Sequence, residues 1–377
     1  GKSSENKLSY ILLGDPAIRL NYPTQYDVVT TILSDTLRAL QEVTIGGYIR
    51  DEQGDTAHMF NGIVTVSIYD KLQQITTRDN DAISNGQTPI PYTFNDYPNL
   101  LFAGSTKVED GLFQMHFRMP KDIRYNYGNG RIVYYAIDSL TQDEGLGYDH
   151  SFVIGGSDAT AALIVDTVGP DVHLFMENAA FRDGGKTSEN PHFYADIYDE
   201  NGINAVGSGI GHDLMLVVDN DAKQTYSLNN YFTTINNSYR QGQVSYALPQ
   251  LTEGQHSLLF RAWDLLNNST TATLRFNVVK GLKTVLYSVT AYPNPCPSGS
   301  TMTISVSADR PDEQLTTVLS IYNLSGQKLF SESVEGNRTL LLTPSQMNMQ
   351  SGIYIYRIEC QTPTSGTSTA SGKLIVL

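Results

Sequence analysis

Apolar residues in this chain return at every second position far more often than at every third or fourth. In Ile63-Val-Thr-Val-Ser-Ile-Tyr69, the residues Val64, Val66 and Ile68 share one face. Phe113, Met115, Phe117 and Met119 alternate with Gln114, His116 and Arg118. Successive strand side chains point to opposite faces, so this spacing buries one side of a sheet and wets the other. Clusters of Gly, Asn, Asp and Pro bound these runs as turns do. Helical periodicity is nearly absent. Only 26–41 has room for a short helix, and its Val28-Val-Thr-Thr-Ile32 run argues equally for a strand. The pattern predicts an all-β chain of consecutive β-sandwiches.

Composition narrows the class further. A length of 377 residues fits two or three domains at about 150 residues each. With 40% apolar residues, 17% charged residues and 23 tyrosines, the chain is too apolar and aromatic for disorder. The net charge of -14 makes nucleic acid a poor partner, because phosphate contacts need a basic stripe. No apolar run approaches the ~20 residues of a membrane helix, so no transmembrane segment is expected. Gly1-Lys-Ser-Ser-Glu-Asn-Lys7 does not read as a signal peptide. It reads as the interior of a longer protein whose export signal lies upstream.

Four segments follow. Residues 1–25 hold an isolated strand-turn-strand, Tyr10-Ile-Leu-Leu-Gly-Asp-Pro-Ala-Ile-Arg-Leu20. Residues 26–165 form a first sandwich interrupted by a polar loop at roughly 71–100. Asp166-Thr-Val-Gly-Pro-Asp171 reads as a linker, since Gly-Pro breaks a strand. A second sandwich runs over 166–282, with Trp263 expected to plug its core. Residues 283–377 form the last module. There Tyr292-Pro-Asn-Pro295 is a rigid start, Met302, Ile304 and Val306 share a face, and Val318, Ser320 and Tyr322 share another.

The search for chemistry yields little. The seven histidines show no HxH, HxxxH or HExxH spacing, so no zinc site is indicated. His212, between glycines, is expected to fix its turn by a side-chain hydrogen bond. Cys296 sits in Pro295-Cys-Pro297 and Cys360 ends a strand; neither has a neighbouring base in sequence. Both lie in the last module, where they could bridge or stay free. Acidic clusters occur at Asp51–Asp55, Asp79–Asp81, Asp196–Asn201 and Asp219–Asp221. Calcium takes several hard oxygens on such loops, and Asp196, Asp199, Asp219 and Asp221 are the candidates, although Asp and Asn also cap turns. No catalytic residue and no organic cofactor is expected in this segment.

The order Tyr292-Pro-Asn-Pro295, Ile321-Tyr-Asn-Leu-Ser-Gly-Gln-Lys328, Gly352-Ile-Tyr-Ile-Tyr-Arg357 and Lys373-Leu-Ile-Val-Leu377 resembles the C-terminal sorting domain of type IX secretion. Leu13-Gly-Asp-Pro-Ala-Ile-Arg-Leu20 with Tyr22-Pro23 resembles the end of the gingipain-type cysteine peptidase domain. Asp199–Leu214, Tyr226–Phe232 and Ala262–Ser269 together look like the sandwich that precedes the sorting domain in PorU-type sortases. The resemblance implies three immunoglobulin-like β-sandwiches after a short remnant of an α/β peptidase domain, with the catalytic dyad upstream. It implies a place on the outer face of a gram-negative outer membrane and docking on the barrel protein PorV through the last module. Cargo bearing sorting domains would be met by the catalytic domain. Two alternatives stand beside it: the tail of a secreted gingipain-like protease, itself cargo, or a surface adhesin that binds carbohydrate.

Overall fold

The computed structural model describes residues 25–377, apart from 161–164, 208, 210, 236, 310–313, 337 and 364. The expected peptidase remnant at 1–25 therefore lies almost wholly outside the described residues. Among the described residues the one α-helix is Asn80–Ser84 and strands dominate. The ambiguous 26–41 stretch resolves into strands Tyr26–Ile32 and Thr36–Ala39. Its β-branched run packs better on a pleated surface than along a helix.

The chain divides into two compact units, 1–119 with 123–158, and 120–122 with 159–377. In the first, seven strands close into a barrel in the order Tyr26–Ile32, Glu144–Asp149, Arg131–Asp138, Gly62–Tyr69, Leu100–Glu109, Leu112–Arg118 and Glu42–Arg50. The alternating pattern predicts a β-sandwich here, and the strands close into one continuous sheet. Period two places side chains in or out and leaves the curvature undetermined. Val64, Val66, Ile68, Ile132 and Tyr134 fill the interior. Phe102 stacks on Phe117 with ring centroids 4.2 Å apart.

Closure falls to the strand Tyr26–Ile32. It runs antiparallel to Glu42–Arg50 and parallel to Glu144–Asp149, the latter through Tyr26↔Gly145 and Asp27↔Leu146. Glycine permits both approaches: a Cβ at Gly47 would lie 2.0 Å from the Val29 carbonyl oxygen, and one at Gly147 would lie 2.2 Å from that of Val28. Such contacts admit no side chain.

The polar loop expected at 71–100 has structure of its own. Gln73–Thr76 pairs with Thr93–Asp96, and the loop opens on a buried ion pair. Lys71 Nζ donates to Asp70 Oδ1 at 2.7 Å and to the Arg124 carbonyl at 2.6 Å. The surrounding hydrogen bonds satisfy both charges, which is what a buried pair requires.

The second unit contains two separately packed cores. In the first, a four-stranded sheet (Asp171–Met176, His192–Tyr198, Gln241–Ala247, Phe232–Thr234) accompanies a five-stranded one (Gly185–Thr187, Ser269–Val278, Gly254–Trp263, Met215–Val218, Thr225–Ser227). Phe193, Phe260, Leu216 and Phe276 pack between them. In the second, the strands Leu286–Tyr292, Met302–Ala308 and Thr339–Leu342 accompany Lys328–Glu335, Thr316–Tyr322, Gly352–Gln361 and Ser368–Val376. Met302, Ile304 and Val306 face that core as their alternation predicts. On Thr316–Tyr322 the inward residues are Leu319 and Ile321, so the Val318, Ser320 and Tyr322 set forms the opposite face.

The last strand contributes Leu374 and Val376 to this core. Leu374→Ala is expected to cost about 2–5 kcal/mol, the usual range for deleting a buried leucine. Calorimetry of the full chain should show one transition moving down while the barrel transition stays in place.

Candidate functional site

Two places gather chemistry-bearing groups. The first is the closure of the last strand. Both X-Pro bonds of Tyr292-Pro-Asn-Pro295 are cis, and the chain then runs beside the outer edge of Ser368–Val376. The Asn294 side chain mimics a backbone unit: its Nδ2 donates to the Lys373 carbonyl at 2.8 Å and its Oδ1 accepts from the Ile375 amide at 2.9 Å. Cys296 continues the ladder, donating to Ile375 at 2.8 Å and accepting from Leu377 at 2.9 Å. An open strand edge invites pairing with other chains. Here residues 373–377 have that edge covered from within.

The second place is a carboxylate triad. Asp166, Asp199 and Asp264 each offer an oxygen within 4.8 Å of the other two. Asp166 comes from the linker, Asp199 from the turn after His192–Tyr198, and Asp264 from the turn after Gly254–Trp263. Each turn is tied by its own Asp. Asp199 Oδ1 accepts from the Asn201 and Gly202 amides at 2.8 and 2.9 Å. Asp264 Oδ1 accepts from Leu266 and Asn268 at 2.9 and 2.6 Å. Asn201 Nδ2 donates to Asp166 at 2.6 Å and Asn268 Nδ2 to Asp264 at 2.8 Å. The triad thus knots the linker to two loops of the sandwich.

Three carboxylates this close do not all ionise freely in a dry site. Burial, with the neighbouring Asp264 and Asp166 charges adding to it, pushes Asp199 up to about 6. Burial also raises Asp264. A shared proton relieves the repulsion, and a hard divalent cation, which takes such oxygens, would relieve it too. Among the described residues this is the one cluster with metal-ligating spacing.

The structure brings only Asp199 of the sequence candidates into this cluster. Asp196 accepts from Gln243 Nε2 at 2.6 Å. Asp219 accepts from His256 Nδ1 and the Ser257 amide at 2.7 and 2.8 Å. Asp221 caps a short turn through the Lys223 amide at 2.9 Å. The partners Asp166 and Asp264 are missed by reading acid clusters, because each is a lone acid in its own segment. Their available signal is an Asp followed within five residues by Gly or Asn turn formers, repeated at three places.

Trp263 does not plug the core, contrary to expectation. It is half-buried at the strand end, with its ring centroid 4.2 Å from that of His212. His212 Nδ1 lies 3.1 Å from Asp122 Oδ2, so the histidine ties its glycine-rich turn to residues 120–122. His116 and His173 are strand residues. Cys296 and Cys360 are both free and buried. Burial raises both thiols, which disfavours the reactive thiolate.

Comparison with known proteins bears on the last module. Residues 290–376 match the secretion system C-terminal sorting domain. This region is a secretion-system C-terminal sorting domain, which relates the chain to type IX secretion. No curated protein matches the sequence. Among solved structures, dimeric latent PorU from Porphyromonas gingivalis is 29% identical over 97% of this chain and 35% of its own, with a TM-score of 0.44. This chain therefore spans about a third of that protein. The Bacteroides ovatus protein SGBP-B, in complex with a mixed-linkage heptasaccharide, is 14% identical over 94% of this chain and 71% of its own, with a TM-score of 0.26. Fibronectin(III)-like modules of Clostridium thermocellum CbhA are 8% identical over 54% and 94%, with a TM-score of 0.21. At these TM-scores none of the three carries a functional argument.

Two outcomes follow from the site chemistry. The Asp199 carboxyl is raised in the folded state above its ordinary value of 3.8. The folded chain therefore keeps a proton that the unfolded chain releases, and stability falls as pH rises from about 4 to about 6. In EDTA, the stability of the second unit, read by thermal or denaturant unfolding, should drop across that window by roughly 3 kcal/mol, since the shift from 3.8 to about 6 spans about two pKa units at about 1.4 kcal/mol each. Asp199→Asn should flatten the dependence. A maleimide probe should leave both thiols unmodified in the native protein and label both in denaturant, as mass spectrometry will read.

Proposed function

We propose that this chain is the non-catalytic C-terminal region of a cell-surface sortase of the PorU type. That enzyme processes the sorting domains of exported cargo. On this reading the β-bodies space an upstream peptidase from the membrane, and residues 283–377 dock it on the outer-membrane barrel protein PorV. The observation that carries the reading is the sorting domain at 290–376, with its last strand folded into the core and its edge covered by Asn294 and Cys296.

The three stretches that resemble the family's preceding sandwich also support it, because they converge in space. Ile203 bridges to Asp264, Asn229 Nδ2 donates to the Ala205 carbonyl at 2.9 Å, and the Leu228 amide donates to Leu214 at 2.7 Å. Turn residues far apart in sequence serve one knot.

The test is made in cells that have type IX secretion. Deleting 283–377 from the full-length protein should abolish its surface display and its co-purification with PorV. The mature surface protein should retain Lys373-Leu-Ile-Val-Leu377 by mass spectrometry. Undiminished PorV binding after the deletion removes the docking role. A mature form lacking that peptide identifies the chain as secreted cargo of the gingipain type instead.

A further inference from the structure

The barrel carries an open cleft of about 640 Å³ at the seam where its first strand meets Glu144–Asp149. This size lies within the range of about 300–1,000 Å³ for small-molecule sites. Val29, Val133 and Leu146 give it an apolar floor, and Tyr148 stands beside them. Tyr148 is 70% exposed, yet its ring lies nearly parallel to that of His150, centroids 5.7 Å apart at 11°. With most of its surface in solvent, the ring offers an apolar face on which a ligand can stack. Arg50 and Asp27 also line the cleft, and Arg50 Nη2 donates to Asp27 Oδ2 at 2.7 Å, with both side chains about half exposed. That pair sets a donor and an acceptor next to each other in the lining. Asp149 adds a second carboxylate, held by the Ser151 amide and hydroxyl at 2.8 and 2.7 Å.

We propose that this cleft is a carbohydrate subsite that stacks one neutral pyranose unit on Tyr148 and reads its adjacent hydroxyls with Asp27 and Arg50. A pyranose has one apolar C–H face and a rim of hydroxyls that both donate and accept. The first matches an aromatic ring and the second matches a carboxylate beside a guanidinium. Two carboxylates against one guanidinium leave the lining net negative, which disfavours phosphates and acidic sugars. An inserted peptide strand fits worse. It would need a lane about 4.8 Å wide on each side, whereas Gly147 and Val28 already touch so closely that a Cβ would lie 2.2 Å from the Val28 carbonyl oxygen. The assignment rests on the barrel alone and is independent of the sorting-domain reading.

The experiment is saturation-transfer NMR on the full chain. The probes are methyl α-mannopyranoside, methyl β-glucopyranoside, methyl β-galactopyranoside and N-acetylglucosamine, with N-acetylneuraminic acid as the anionic comparison. At least one neutral probe should receive saturation from the protein, and the anionic sugar should not. Tyr148→Ala should weaken that binding about tenfold, a change of about 1.4 kcal/mol, while Tyr148→Phe should keep it because the ring face does the work. Asp27→Asn should weaken it with the melting temperature unchanged. Silence of all four neutral probes overturns the proposal. Equal binding by wild type and Tyr148→Ala overturns it, as does preference for the anionic sugar.

Discussion

Two of the β-bodies in this chain, the barrel and the last module, depend on a segment that reaches across a long stretch of sequence to cover an edge. The barrel is closed by Tyr26–Ile32, whose parallel partner begins at Glu144. The last module is closed by Asn294–Ser298, which pairs with residues 373–377 about 80 positions away. An uncovered edge strand exposes unpaired amides and carbonyls and recruits other chains. Closing it requires bringing distant segments together, at a loop-closure cost that grows only slowly with length. The gain is a sheet with fewer open edges and a fully buried apolar face.

The same economy of distant contacts governs the polar features. The buried Lys71–Asp70 pair is tolerable because the Arg124 and Ile154 carbonyls complete the ammonium's hydrogen bonds. The triad of Asp166, Asp199 and Asp264 is tolerable because backbone amides and two asparagine side chains donate into it. In both places, polar groups brought in from elsewhere in the sequence answer for the burial of charge. The triad differs in having only carboxylates at its centre, so its energy depends on proton or cation occupancy in a way that the Lys–Asp pair's does not.

The cleft on the barrel and the sorting domain lie in different units and present different chemistry. The sorting domain offers little exposed reactivity: its thiols are buried and its final strand is covered over the last five residues. The barrel instead displays an exposed tyrosine, a polar pair and apolar residues at a seam that the parallel pairing leaves open after two residue pairs.

Much of the architecture was legible in the one-dimensional pattern. Val64, Val66 and Ile68, or Met302, Ile304 and Val306, had to be inward faces of strands because only period two explains them. The sorting domain was legible because its turns are chemically specific and lie in order. Sequence left open the curvature that made a barrel of the first body, since alternation is the same in flat and closed sheets. It gave the wrong role to Trp263, because a large aromatic at a strand end can face a core or a histidine with equal ease. It separated Asp166 from Asp264 by 98 positions with nothing to join them. Local periodicity and turn chemistry determine which residues face inward. Which distant edges and carboxylates meet is a property of three-dimensional packing, and only the folded chain decides it.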